Sequence, residues 1–208
     1  MNPPGETVYI VDDDASFRKS LSRLLKAQGF VSQSFDSAAA FLQSGLTNRP
    51  GCIVLDVRMP GLSGLDVQKE LAKVECTMSI VFLTGHGDIP MGVRAIKEGA
   101  SDFLTKPVDE DVLLGAIRKA LEDSRQCAQK SQEIEAVRAR VRTLTEREHE
   151  VMRHVIAGKL SKQIGGDLGV VERTIKAHRA SVMQKMGVES VAELVRLCAL
   201  LGVEPTAK

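Results

Sequence analysis

The chain contains no run approaching the roughly 18 consecutive apolar residues that a membrane-spanning helix needs. Its first residues, Met1 to Thr7, also lack the basic and apolar parts of a secretion signal. Both absences predict a cytoplasmic protein that does not engage a membrane. Cysteine is sparse: Cys52, Cys76, Cys127 and Cys198 stand far apart without paired spacing, which argues against disulfides and zinc and for a reducing compartment. An excess of one charge sign is missing too. The formal net charge is +1; residues 143–208 carry 10 Lys/Arg against 8 Asp/Glu, and residues 1–108 carry 11 against 12. Neither part is a nucleic-acid binder by bulk charge. Apart from Gly115, residues 109 to 142 contain neither glycine nor proline. At 208 residues with 43% hydrophobic and 26% charged side chains, the chain is ordinary for soluble protein and suits two modest cores better than one.

What is present begins with Asp12, Asp13 and Asp14, directly after the apolar run Val8, Tyr9, Ile10, Val11. Such a run reads as a buried parallel strand, so the acids fall at its carboxyl end, where open α/β sheets bind ligands. Cys52 to Leu55 run into Asp56 in the same way, Ile80 to Leu83 into Thr84, and Asp102 to Thr105 into Lys106 and Pro107. In a parallel sheet these ends converge on one edge. Taken singly, the acids and Thr84 are equally helix caps and turn formers, and Lys106 a solvated lysine. Asp14 is read as such a cap. Together they supply an oxygen-ligand cage suited to a hard ion such as magnesium, a carboxylate nucleophile, a hydroxyl donor and a fixed cation. Those are the parts that phosphoryl transfer to a carboxylate requires.

Helical periodicity fills the intervals, with stripes at Phe17, Leu21, Leu24 and Leu25, at Phe41 and Leu42, at Leu65, Leu71 and Val74, and at Met91, Ala95 and Ile96. Alternating strand and helix predicts a doubly wrapped parallel sheet. His86, in a glycine-bearing loop without a partner motif, reads as a loop residue rather than an acid or base. The segment 109–142 reads as the last helix of this unit running into a linker helix about 50 Å long if unbroken. A partly helical flexible connector is the alternative, because Ser124, Cys127 and Ser131 would weaken any coiled-coil seam.

Residues 143–208 are helical by pattern. Thr145 with Glu148 and Ser190 with Glu193 read as capping boxes, opening helices with apolar faces at Val151, Met152, Val155 and Ile156 and at Val191, Leu194, Val195, Cys198 and Leu201. Between them, Ser161 to Leu168 and Glu172 to Met186, separated by Gly169 and two valines, form a helix-turn-helix pattern. On the longer helix Ile175, Val182 and Met186 face the core, with Arg173, Lys176, Arg179 and Lys185 as cations along the outer side. Without an acid between Arg173 and Lys185, that face either neutralises phosphates or is simply solvated.

Asp12, Asp13, Asp56, Thr84 and the Lys106–Pro107 pair resemble the full signature of a two-component receiver domain, an α/β flavodoxin-like (βα)5 fold with a five-stranded parallel sheet. The resemblance implies that Asp56 accepts a phosphoryl group from a sensor histidine kinase and that Asp13 binds Mg2+ directly, with Mn2+ as a substitute. Asp12 would bind it largely through water, and the backbone carbonyl of Arg58 would complete the protein's share. It further implies that Lys106 and Thr84 hold phosphoryl oxygens, that Phe103 is the switch aromatic, and that Pro107 follows a cis peptide bond.

Leu144 to Glu148, Gly158, Lys162, Ile164, Glu172 to Arg179, Lys185, Met186 and Glu193 to Arg196 are similar to the LuxR-type four-helix DNA-binding domain. The combination resembles response regulators of the FixJ/NarL class, and the loop after Thr84 resembles the FixJ branch. By that resemblance Arg173, Lys176, Ala177 and Ala180 face the major groove of promoter DNA, Lys162 and Arg179 touch phosphates, and His178 packs. A homodimer on phosphorylation and contact with RNA polymerase are implied as well. The expected function is phosphorylation-dependent transcription regulation without enzymatic turnover, on domains 1–108, 109–142 and 143–208. An aspartyl-phosphate phosphatase and a protein-binding adaptor with a helical docking tail are the rival classes. Departures from the family pattern sit at Ser161, Gly165 and Val171, where asparagine, alanine and a capping serine are usual. Gly165 and Gly166 each cost roughly 1 kcal/mol relative to alanine inside a helix.

Overall fold

The computed structural model describes residues 7–46, 49–74, 77–85 and 87–206. His86 and Cys76 lie outside them. Five strands, β1 (Thr7–Val11), β2 (Val31–Phe35), β3 (Gly51–Leu55), β4 (Ser79–Thr84) and β5 (Asp102–Thr105), form one parallel sheet in the order β2-β1-β3-β4-β5. Side chains alternate between its faces. Val8, Ile10, Cys52, Val54, Val81 and Leu83 point to one core with α1 (Ala15–Ala27) and the first turns of α5 (Glu110–Arg142). Tyr9, Val11, Ile53, Leu55, Ile80 and Phe82 point to the other, with α2 (Ala38–Gln43), α3 (Gly64–Ala72) and α4 (Ile89–Lys97). Every residue of β3 is buried, as expected of the central strand. In the helices packed on this sheet, two positions assigned to apolar stripes face solvent instead: Val74, just past the end of α3, and Ile96 on α4.

The chain forms two compact units, Met1–Gln129 and Lys130–Lys208, and the boundary falls inside α5. That helix is unbroken from Glu110 to Arg142. Leu113, Leu114, Ile117, Ala120 and Leu121 are buried in the sheet unit's core, whereas Val137 is buried in the helical unit's core. Ser124 is not a seam position. It is buried, and its hydroxyl accepts the Gly51 N–H at 2.9 Å, closing the start of β3.

The helical unit adds α6 (Glu146–Ile156), α7 (Ser161–Leu168), α8 (Glu172–Met186) and α9 (Val191–Leu200). Val151, Met152, Val155, Ile164, Ile175, Val182, Met186, Leu194 and Cys198 form its core. On α9 only alternate parts of the expected stripe are buried; Val191 and Val195 are exposed. Thr145 and Glu148 form the reciprocal capping box of α6. Ser190 caps α9 through the Glu193 N–H, but the Glu193 carboxylate accepts from the Glu189 N–H, so the second box is only half formed. Val171 stands at the N-cap of α8 without a side-chain cap.

Candidate functional site

The acids come together because β1 and β3 are register neighbours, Val11 opposite Leu55, and each strand passes directly into its aspartate. Carboxylate oxygens of Asp12, Asp13 and Asp56 all lie within 4.8 Å of one another. Among the described residues this is the one group of acids, histidines or cysteines arranged to hold an ion. Asp12 and Asp56 are buried while Asp13 is exposed, so an ion could enter from the Asp13 side.

The three acids differ in what they already bind. Asp12 is committed on every side: Oδ1 accepts the Asp14 N–H at 2.8 Å, Oδ2 lies 2.5 Å from Lys106 Nζ, and its backbone carbonyl accepts from Arg18 Nη1 at 2.7 Å. Asp56 Oδ1 is buried and has no hydrogen-bond partner. Burial pushes the Asp56 carboxyl above the usual carboxylate range, opposed by the Lys106 ammonium and the Thr84 hydroxyl. Asp14 lies apart from this work. Its side chain caps α1, accepting from Ser16 and Phe17 N–H, and those two bonds hold its carboxyl below the usual range.

Oxygen-only donors, a buried orphan carboxylate oxygen and clustered negative charge fit a hard divalent cation and give no soft ligand to zinc. Asp13 and Asp56 have oxygen atoms to offer. Asp12 would have to exchange an existing partner or act through water.

Thr84 ends β4 and is almost wholly buried. The Lys106 N–H donates to its carbonyl at 2.8 Å, which ties the two strand ends together. The Lys106–Pro107 peptide bond is cis. Phe103, half-buried on β5, packs 5.9 Å from Phe82 between ring centroids. Arg58 is exposed in the loop that follows Asp56. A glycine controls that loop: a Cβ on Gly64 would sit 2.3 Å from the Asp56 carbonyl oxygen. The first turn of α3 therefore presses on the backbone of Asp56 itself. In the sequence Gly64 reads only as a helix boundary, because spacing carries no sign of close approach.

In the helical unit Arg173, Lys176, Ala177 and Ala180 are all exposed and follow the i, i+3, i+4, i+7 spacing of one α8 face. Lys176 pairs with Glu172 at 2.9 Å, but both are well exposed and such a pair is weak enough to yield to a phosphate. Lys162 on α7 is exposed; Arg179 is half-buried and donates to the Lys159 carbonyl at 3.2 Å. His178 is half-buried.

Lys185 departs from the expectation of an outward cation. Its ammonium lies 2.7 Å from Glu148 Oε2 and also donates to the Thr143 carbonyl. Glu148, read from the sequence only as a capping residue, is buried and accepts from Ser181 as well. Lys185 first, then Ser181 and the Thr145 N–H, pull its pKa down to about 2. The buried carboxylate outcompetes solvent for Lys185, which leaves Arg173 and Lys176 as the exposed cations of α8, with Arg179 half-buried.

Comparison with known proteins agrees with both halves. Residues 8–118 match the response regulator receiver domain and residues 142–198 match the bacterial regulatory proteins of the luxR family. The chain is 46% identical to the response regulator protein TmoT of Ectopseudomonas mendocina over 95% of this chain and 90% of that one. It is 42% identical to the transcriptional regulatory protein FixJ of Azorhizobium caulinodans over 98% of this chain and 96% of that one. Among solved structures it is similar to the response regulator StyR, with a TM-score of 0.81 at 44% identity over 94% and 98% of the two chains. Full-length FixJ from B. japonicum matches with a TM-score of 0.55 at 40% identity over 97% and 98%. With its flavodoxin-like sheet, clustered acids and LuxR-type helices, the chain belongs to the FixJ/LuxR-type two-component response regulators, transcription regulators whose DNA binding depends on phosphorylation.

Proposed function

We propose that Asp56 is the phosphoryl acceptor of this regulator and that a sensor histidine kinase is the donor. The carrying observation is the buried, unpartnered Asp56 Oδ1 at the centre of the acid cluster. A carboxylate oxygen deprived of water and of a hydrogen-bond donor is a reactive nucleophile, and its attack on phosphorus would transfer the group from the kinase's histidine to Asp56. Magnesium, or manganese in its place, would supply charge neutralisation between the carboxylates and the phosphoryl oxygens, held by Asp13, Asp56, the Arg58 carbonyl and, through water, Asp12. Lys106 would release Asp12 to pair with a phosphoryl oxygen, and Thr84 would donate its hydroxyl to another. As Thr84 moves toward the new group, Phe103 would turn inward behind it and change the face formed by α4 and β5.

That change would promote a homodimer and present α8 to promoter DNA. Arg173, Lys176, Ala177 and Ala180 would face base edges, and Lys162 and Arg179 would hold phosphates. RNA polymerase would then be met by the promoter-bound dimer. We place this activity in the cytoplasm, with no turnover beyond the receiver's own phosphorylation and dephosphorylation.

The test compares wild-type protein with Asp56→Asn after treatment with acetyl phosphate and magnesium. Wild type should gain one phosphoryl group by intact mass, shift its oligomeric state and bind promoter duplex more tightly; Asp56→Asn should do none of these. Equal behaviour of the two proteins would refute the assignment, and sustained release of phosphate from small esters would favour a phosphatase.

A further inference from the structure

We propose that Phe17 is a positioning residue that holds the Lys106 ammonium at the acceptor site through its ring face. Lys106 Nζ lies 3.8 Å from the Phe17 ring centroid, within the range of a direct cation–π contact. The same ammonium lies 2.5 Å from Asp12 Oδ2, and its side chain is 23% exposed. Exclusion of water strengthens the attraction between ring and cation. The lysine therefore has two anchors, one charged and one neutral.

The ring is itself fixed. The backbone N–H of Phe17 donates to Asp14 Oδ1 at 3.2 Å within the cap of α1, and its side chain packs against the core under that helix. Arg18, the next residue, reaches the Asp12 carbonyl. The first turn of α1 thus touches the site twice, through a ring on Lys106 and a guanidinium on Asp12.

The neutral anchor matters when the charged one is withdrawn. An ion that claims Asp12 loosens its hold on Lys106, and a four-carbon lysine stem freed in this way would sample solvent. A ring carries no net charge, so it does not compete with the metal for carboxylates and competes only weakly with a dianionic phosphoryl group for the ammonium. It keeps the cation near Asp56 and yields it to the stronger partner. The inference rests on Asp56 as acceptor; Phe17 touches neither phosphorus nor metal and acts only through Lys106.

The experiment uses the full chain as wild type, Phe17→Leu and Phe17→Tyr, with Phe17→Met as a second ring-free variant should Phe17→Leu fail to fold. In the metal-free proteins the Lys106 ε-methylene protons are observed by NMR. The ring current should move them upfield in wild type and Phe17→Tyr, and they should return to the position of exposed lysines without the ring. Affinity for beryllofluoride with magnesium, a phosphoryl mimic, should fall about threefold to tenfold in the ring-free variants and recover in Phe17→Tyr. Unshifted Lys106 protons in wild type, or ring-free variants that bind the mimic as tightly as wild type, would overturn the proposal. Wild type that binds no beryllofluoride at all would refute the acceptor assignment and the positioning role built on it, while the NMR shift would still decide the ring contact.

Discussion

Gly165 and Gly166 are adjacent in α7 yet should respond oppositely to the same substitution. Each glycine costs roughly 1 kcal/mol relative to alanine in a helix interior because it has more backbone freedom to lose. At Gly166 a Cβ would meet nothing within 4 Å, so Gly166→Ala should recover most of that energy. At Gly165 the new methyl would stand 2.7 Å from the Val170 carbonyl oxygen and 3.6 Å from the Glu172 nitrogen. Both are backbone atoms of the turn, and the Val170 N–H is already bound to the Gly165 carbonyl at 2.9 Å. To make room, the turn must open and move the start of α8, at a cost of about 1–3 kcal/mol that cancels or exceeds the gain. The helical unit has no tryptophan or tyrosine, so hydrogen exchange of peptides spanning 146–200 is the suitable assay, because it isolates global opening of that unit. Gly166→Ala should slow exchange of the most protected amides about fivefold, equivalent to ~1 kcal/mol. It should also raise the unit's melting temperature by about 4–8 °C. Gly165→Ala should leave both unchanged or lower them. Equal stabilisation at the two sites would refute the close approach at Gly165.

Three further outcomes follow from contacts described above. Gly64→Ala places a methyl 2.3 Å from the Asp56 carbonyl oxygen; it should cost about 2–3 kcal/mol in thermal unfolding and slow the phosphorylation proposed for Asp56, and unchanged values of both would contradict the contact. Ser124→Ala leaves the buried Gly51 N–H without its acceptor and should destabilise the sheet unit by about 1–3 kcal/mol in urea unfolding. Glu148 has a folded pKa of about 2 against an ordinary 4.5. Its contribution is therefore complete above pH 4.5 and lost as pH falls from 4.5 toward 2. Glu148→Gln should flatten the acid limb of the helical unit's stability curve, and a curve superimposable on wild type would show that Lys185 and Ser181 do not hold the charge.

Four of the five strands were legible because each is a short, largely apolar run that ends in a chemically distinct residue, and parallel pairing converts those endings into one edge; β2, with the polar run Ser32, Gln33 and Ser34, carries no such signal and was expected only from the family resemblance. Helix limits in the DNA-binding half were equally legible, since Gly169 and the Thr145 and Ser190 caps punctuate the periodicity. What could not be read was distance between residues remote in sequence. Nothing in the order of residues pairs Ser124 with Gly51, presses Gly64 on Asp56, or turns Lys185 back onto Glu148. Phe17 illustrates the same limit within the site: as a stripe residue it counted only as core, although its ring face meets Lys106. Charge pattern alone misassigned Lys185, because a basic side chain on a helix flank chooses between solvent and a buried carboxylate according to a packing that periodicity does not encode.

The contact between Lys106 and Asp12 means that the receiver carries its own counter-ion. Without it, folding would bring the three carboxylates together with less to offset their repulsion. With a lysine already seated beside Asp12, the chain itself offsets part of that repulsion. The divalent ion proposed for this site would then serve the signal rather than the assembly of the strand ends that receive it.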